Sequence, residues 1–132
     1  MKELFSHSAR TGDVIVRVSV SFLPEQSEPS QGRWFWAYHI RIENEGAARV
    51  KLVSREWKIR DGRGALHEVR GEGVVGDQPV IEPGGSFDYV SGCPLATPTG
   101  SMEGRYFMVG ADGVRVAVDI PHFPLVAPAV TS

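Results

Sequence analysis

Gly71, Gly73 and Gly76, in the stretch "RGEGVVGDQPV", have the GxGxxG spacing that holds pyrophosphate in dinucleotide-binding proteins. That chemistry uses the unpaired N–H groups and the positive end of a helix that begins straight after the glycines. Here Pro79 and Pro83 follow within eight residues of Gly76 and forbid such a helix. A weaker form remains, in which successive backbone N–H groups of a glycine-rich loop hold an anion and Arg70 adds a charge-assisted contact to a nucleotide or pyrophosphate. The candidate ligand-binding residues are then Arg70, Gly71, Gly73 and Gly76, opposed by Glu72 and Asp77 in the same loop. The simpler reading gives these glycines positive φ in a bulged crossover between two sheets.

Other chemistries have less to work with. His7, His39, His67 and His122 are dispersed, without HxH or HxxxH spacing, so no transition-metal site is expected. His67, Glu68, Glu72 and Asp77 are close enough in sequence for a loose oxygen-rich cation site, but surface carboxylates of this density ordinarily bind nothing specific. Cys93 in "SGCPL" has no histidine near it in sequence, and a lone cysteine reads first as a small buried hydrophobe. The segment "GSMEG" lacks the spacing of a serine nucleophile elbow. Trp34, Trp36, Tyr38 and Trp57 could stack a ligand if exposed, although on alternating strands they read as core, with Phe35 on the other face. No enzyme and no cofactor is expected.

The elements that must position these residues are strands. In "VIVRVSVSF", Val14, Val16, Val18, Val20 and Phe22 share one face, with Ile15, Arg17, Ser19 and Ser21 on the other. "WFWAYHIRI" alternates in the same way, and "VKLVSREWKI" changes phase between Leu52 and Trp57, which predicts a bulge or bend at Val53 to Glu56. "ALHEVR" and "SFDYVS" read as short strands, "GCPLATPTG" as irregular, and "SMEGRYFMV" as a strand. Asp112-Gly113 predicts a hairpin into "VRVAVDI", with Val114, Val116, Val118 and Ile120 inward. With 15 glycines, nine prolines and no capped window of helical period, the fold class is all-β. The expectation is an immunoglobulin-like or fibronectin type III-like β-sandwich of seven to eight antiparallel strands. Residues 1–12 are expected to be a flexible N-terminus, 13–125 the sandwich and 126–132 a flexible tail.

With 132 residues, one domain is the economical reading. Fourteen basic against sixteen acidic residues leave a net charge of −2, so neither nucleic acid nor an anionic membrane is an expected partner. Nine basic residues against five acidic ones fall between Arg33 and Arg70, and these read as solvent faces of strands. The lone cysteine, the lack of a signal-type N-terminus and the lack of a long apolar run predict a soluble cytoplasmic protein.

The segments "SFLPEQSEP", "AYHIRIENEG", "LVSREWKI", "EVRGEGVVGDQPVIEPGGSFDYVSGCPLATPTGSMEGRYFM" and "IPHFPL" resemble the ApaG (CorD) family from about Asp13 to Leu125. The resemblance implies a fibronectin-type sandwich and no catalytic residues. It also implies an association with diadenosine tetraphosphate metabolism and with cobalt and magnesium resistance. In related domains of F-box proteins and of a DNA-polymerase-interacting protein it implies protein interaction.

Two functions are therefore expected of the scaffold. The first is a non-catalytic module that offers its loops to an unidentified protein partner through Leu23 to Ser27, Gly71 to Gln78 and Gly92 to Thr99. Leu23, Glu25, Gln26, Val75 and Gln78 are its contact residues. The alternative is a small-ligand sensor that takes a phosphorylated nucleotide, with or without a divalent cation, at Gly71 to Gly76.

Overall fold

The computed structural model describes residues 5–128. Two antiparallel sheets face each other. The first has the order β1-β2-β3-β7, from His7–Thr11, Val14–Phe22, Trp34–Asn44 and Ser86–Leu95. The second has the order β5-β4-β8-β9, from Leu66–Glu72, Val50–Asp61, Thr99–Gly110 and Arg115–Val126. Strand β6, Val80–Ile81, pairs with the start of β4. Two single 3₁₀ turns, Pro24–Gln26 and Pro29–Gln31, carry the chain from β2 to β3.

The all-β sandwich expected from period-two alternation is the fold observed. Val16, Val18, Trp36, Ile40 and Ile42 from one sheet meet Leu52, Met102, Tyr106, Met108 and Phe123 from the other, all essentially inaccessible. Burying such side chains contributes about 1.5–3 kcal/mol each before the entropy of ordering them is subtracted. Trp36, Tyr38 and Trp57 are core residues, and the rings of Tyr38, Trp57 and Phe123 pack on one another with centroids 5.5–6.1 Å apart.

Several local expectations need correction. Strand β1 lies within the segment expected to be flexible, and it is ordered by pairing with β2 from His7↔Val18 to Thr11↔Val14. At the other end β9 continues to Val126, opposite Thr99, and Ala127 N–H donates to the Pro98 carbonyl at 2.9 Å. The remainder of both expected flexible ends, 1–4 and 129–132, lies outside the described residues. Gly92 to Leu95 are not irregular, because Pro94 sits on the edge strand β7, where its missing N–H removes no ladder bond. Ile15, expected on a polar face, is buried between Arg10 and Glu43 in register. Val114 and Val116, expected inside, are about half exposed and border a hollow of about 600 Å³ at one end of the sandwich. The inward parity of β9 begins only at Val118, and it changes again where the register with β8 shifts between Met102 and Gly104. Pro121 stands opposite that shift, and Phe123 and Leu125 then point inward.

Asn44 holds the β3–β4 turn to β6. It is buried, its Nδ2 donates to the carbonyls of Ala48 (2.9 Å) and Ile81 (3.0 Å), and its Oδ1 accepts from Gly46 N–H (2.9 Å). Replacing it removes the partner of three backbone groups on two segments, with the Ile81 bond fully buried. Asn44→Ala is expected to destabilise the protein by about 2–3 kcal/mol, read as a lowered urea midpoint with an unchanged slope; a midpoint equal to the parent's would contradict this role.

Candidate functional site

Strand β4 carries one residue more than its neighbour between Leu52, opposite Met108, and Ser54, opposite Phe107. That extra residue, Val53, is the expected bulge. It reverses the parity of everything after it, so that Leu52 and Trp57 both face the core. Arg55 shares the new parity with Trp57 and is carried inward, opposite Tyr106 on β8 and Gly71 on β5.

Gly71 makes room for it. A methyl group at position 71 would stand 3.0–3.1 Å from the guanidinium atoms of Arg55. Arg55 Nη1 donates to the carbonyls of Glu72 (3.0 Å) and Gly73 (2.8 Å), which fixes the guanidinium beneath the end of β5. The bulge carbonyl is satisfied as well, because Val53 O accepts from Gly73 N–H (2.8 Å) and from Gln78 Nε2 (2.9 Å).

The two sheets close against each other where β1 packs on β9, and they stay apart where the edge strands β5 and β7 face one another. The opening is a cleft of about 470 Å³, bordered by Arg55, Trp57, His67, Val69, Ser91 and Cys93 and extending to Leu95 and Met102. A smaller hollow of about 280 Å³ adjoins it, sharing Tyr38, Arg55, Trp57 and Ser91 and reaching Glu72, Val75 and Tyr89. Arg55 thus stands where the two meet.

The hydroxyls around this cation are held protonated. Burial raises the Tyr38 phenol, with Ser91 and Arg55 pulling the other way. Burial also raises Tyr89 and Tyr106, whose hydroxyls hydrogen-bond to each other. The Cys93 thiol is pushed up to about 11 by burial, so it stays protonated at neutral pH. His67 borders the same cleft, and no hydrogen bond joins it to Cys93, whose sulfur faces the Pro94 carbonyl.

The residues predicted from sequence fall in three places. Arg70 is on the outer face of β5, its side chain exposed, beside Glu56 (3.5 Å) and Glu68 (3.6 Å). Gly71, which lies in the ladder of β5, lacks the positive φ expected of it. Gly73 has φ 63°, and any side chain there would meet the Asp77 carbonyl. Val75 (φ 44°) and Gly76 (φ 79°) are the central pair of a two-residue turn closed by Val74 N–H to Asp77 O (2.8 Å) and Asp77 N–H to Val74 O (2.9 Å). Positive φ at both positions is the type I′ signature. The N–H groups of Gly73, Val74 and Asp77 are therefore all engaged by backbone carbonyls.

Of the predicted contact residues, Glu25, Gln26 and Val75 are exposed, whereas Leu23 and Gln78 are half-buried and bonded into the scaffold. They do not form one surface. The Leu23 segment lies at the end of the sandwich where Trp34 meets Leu95 and where Thr97 Oγ1 accepts from Gly62 N–H (2.8 Å). The Val75 turn begins beside Ser54, seven residues of β4 away from Asp61 at that end, or roughly 23 Å of strand. Among the described residues no three of His, Cys, Asp and Glu come together as a metal site. His67 is on the cleft side of β5, while Glu68 and Glu72 have the opposite parity.

Sequence reasoning passed over Arg55. Its signal was present in the phase change, since a charged residue two positions before an inward tryptophan must enter the same face.

The ApaG domain family model matches residues 24–110. The chain is 52% identical over 124 residues to Protein ApaG of Methylobacterium sp. (strain 4-46), covering 94% of this chain and 95% of that protein. It is 49% identical to Protein ApaG of Parvibaculum lavamentivorans, over 92% of this chain and 94% of that one. The crystal structure of an ApaA protein from Bordetella pertussis superposes with a TM-score of 0.86 at 47% identity, covering 89% of this chain and 96% of that chain.

The four raised groups set a pH dependence. On unfolding, Cys93 and the tyrosines return to ordinary values of 9.0 and 10.0, so above pH 9 the unfolded state releases protons before the folded state does. Their contribution is complete below pH 9 and is lost as pH rises through the folded values. The urea midpoint is expected to be level up to about pH 8 and to fall between pH 9 and 11; a midpoint that stays level or rises across that interval would refute the burial of these groups.

Proposed function

The chain belongs to the ApaG family, and on that premise we propose that it is a non-catalytic, cytoplasmic binding module that presents the Val74–Asp77 turn to a protein partner. The observation that carries the reading is Val75. A β-branched residue at φ 44° occupies the sparsely allowed left-handed region, at a cost of order 1–3 kcal/mol. It is also 58% exposed, so no packing in the free protein offsets the strain. Asn or Gly would relieve it at once. An apolar side chain held outward on a turn anchored through Gly73, Gln78 and Arg55 suits contact with another protein.

The nucleotide reading at Gly71 to Gly76 has less support, because Arg70 faces away from the cleft and three of the loop's N–H groups are already bonded. The scaffold offers no activated nucleophile in Cys93, whose thiol stays protonated. The association with diadenosine tetraphosphate metabolism and with cobalt and magnesium resistance belongs, on this proposal, to what the partner does.

Two substitutions separate strain from contact. Val75→Asn is expected to stabilise the fold by about 1 kcal/mol, while both Val75→Asn and Val75→Glu lose partner capture in a pull-down from the native host, quantified against the parent. Capture that is unchanged by Val75→Glu in a folded protein would exclude this turn as the contact.

A further inference from the structure

We infer that the cleft between β5 and β7 is a binding site for a small carboxylate with an apolar body. Its carboxylate sits on Arg55 and Ser91, and its body lies along Trp57, Ile59, Val69 and Met102.

The charge of Arg55 is the starting point. Arg10, Arg17, Arg33, Arg41 and Arg70 each have a carboxylate within 4.0 Å. Arg55 has none among the described residues, although it is half-buried. A guanidinium drawn away from water without a counter-ion is costly, and two peptide carbonyls compensate only part of that cost. Those carbonyls take Nη1 alone, which fixes the plane of the group and leaves Nε and Nη2 without an acceptor among the described residues. A planar fork already oriented in this way is the arrangement that receives a carboxylate through two parallel bonds.

The surroundings select the rest of the ligand. Ser91 supplies a hydroxyl on the facing strand, and beyond it the walls are Trp57, Ile59, Val69, Leu95 and Met102. A volume of about 470 Å³ suits a small molecule, with a few polar groups set in an apolar lining. The two acidic residues at the margins do not neutralise Arg55. Asp61 Oδ1 accepts from the N–H groups of Arg63 (2.9 Å) and Ala65 (3.0 Å), and Glu72 has the outward parity of β5 and does not line the larger cleft. A single cation, with no second basic group beside it apart from His67, matches a monoanion better than a phosphate or pyrophosphate. This site shares Arg55 with the anchor of the Val75 turn, but the inference does not rest on the partner contact proposed there.

The experiment is isothermal titration calorimetry of the full chain with octanoate and 3-phenylpropionate, against octanol and 3-phenylpropanol as uncharged counterparts and an acetylated tetrapeptide ending in leucine. Saturable binding of the carboxylates, at least about ten-fold tighter than of the alcohols, is expected. Arg55→Gln should weaken that binding by about ten-fold or more. Because Arg55 also bonds the Glu72 and Gly73 carbonyls that lead into the Val74–Asp77 turn, Ser91→Asp serves as a second variant: it keeps the guanidinium and sets a competing carboxylate beside it, so binding should be lost while the fold remains. Alcohols that bind as well as the carboxylates, no carboxylate binding at millimolar concentration, or unchanged affinity in folded Ser91→Asp would each overturn the proposal. Binding of the peptide alone would assign the cleft to a protein C-terminus and overturn the small-molecule assignment.

Discussion

One extra residue in β4, Val53, governs the arrangement around it. Without it, Leu52 and Trp57 could not both be buried, since an even and an odd position on a regular strand point to opposite faces. The bulge has further consequences. Its carbonyl anchors Gly73 and Gln78, and so ties down the loop that carries Val75. It also sends Arg55 beneath β5, where a side chain at position 71 would crowd the guanidinium. The glycine-rich stretch is thus explained by packing on one side and turn geometry on the other: Gly71 admits a guanidinium, Gly73 admits a carbonyl, and Gly76 completes a turn of positive φ.

The asymmetry of the sandwich follows from how its four edges are treated. β1 and β9 pack together and close one side. β5 and β7 leave the other side open, and both are poor templates for pairing with another chain. β5 carries Glu68, Arg70 and Glu72 on its outer face, and β7 contains Gly92 and Pro94. An edge defended against strand addition can still border a cleft, because side chains rather than backbone line it. That combination, with a fixed cation at the centre, distinguishes the open side from the apolar hollow near Val114 and Val116.

Much of the fold was legible because period-two alternation is a direct consequence of burying one face of a strand. Val14 to Phe22 and Trp34 to Ile42 announce their inward faces, and the break in phase after Leu52 announces the bulge. What was not legible depended on distant partners. His7–Thr11 has too little apolar alternation to be recognised as a strand, and it is ordered by pairing with β2. Val114 and Val116 repeat the pattern of Val118 and Ile120, but they lie beyond the part of β9 that the opposite sheet covers. The GxGxxG spacing pointed to the right loop for the wrong reason, since spacing does not reveal that the N–H groups are bonded internally or that Arg70 faces outward. Arg55 was legible in principle, as an arginine in phase with a core tryptophan, yet it is conspicuous only once the bulge is taken literally.

The central claim is that the Val53 bulge turns Arg55 into the molecule, and the side-chain Nε–H signal of Arg55 in arginine-labelled protein tests it most directly. An inward guanidinium predicts cross-relaxation between that Nε–H and the ring protons of Tyr38 or Tyr106, with none from the outward Arg70. An Arg55 signal with no contact to either ring would place the side chain on the surface and contradict the inward turn at Val53.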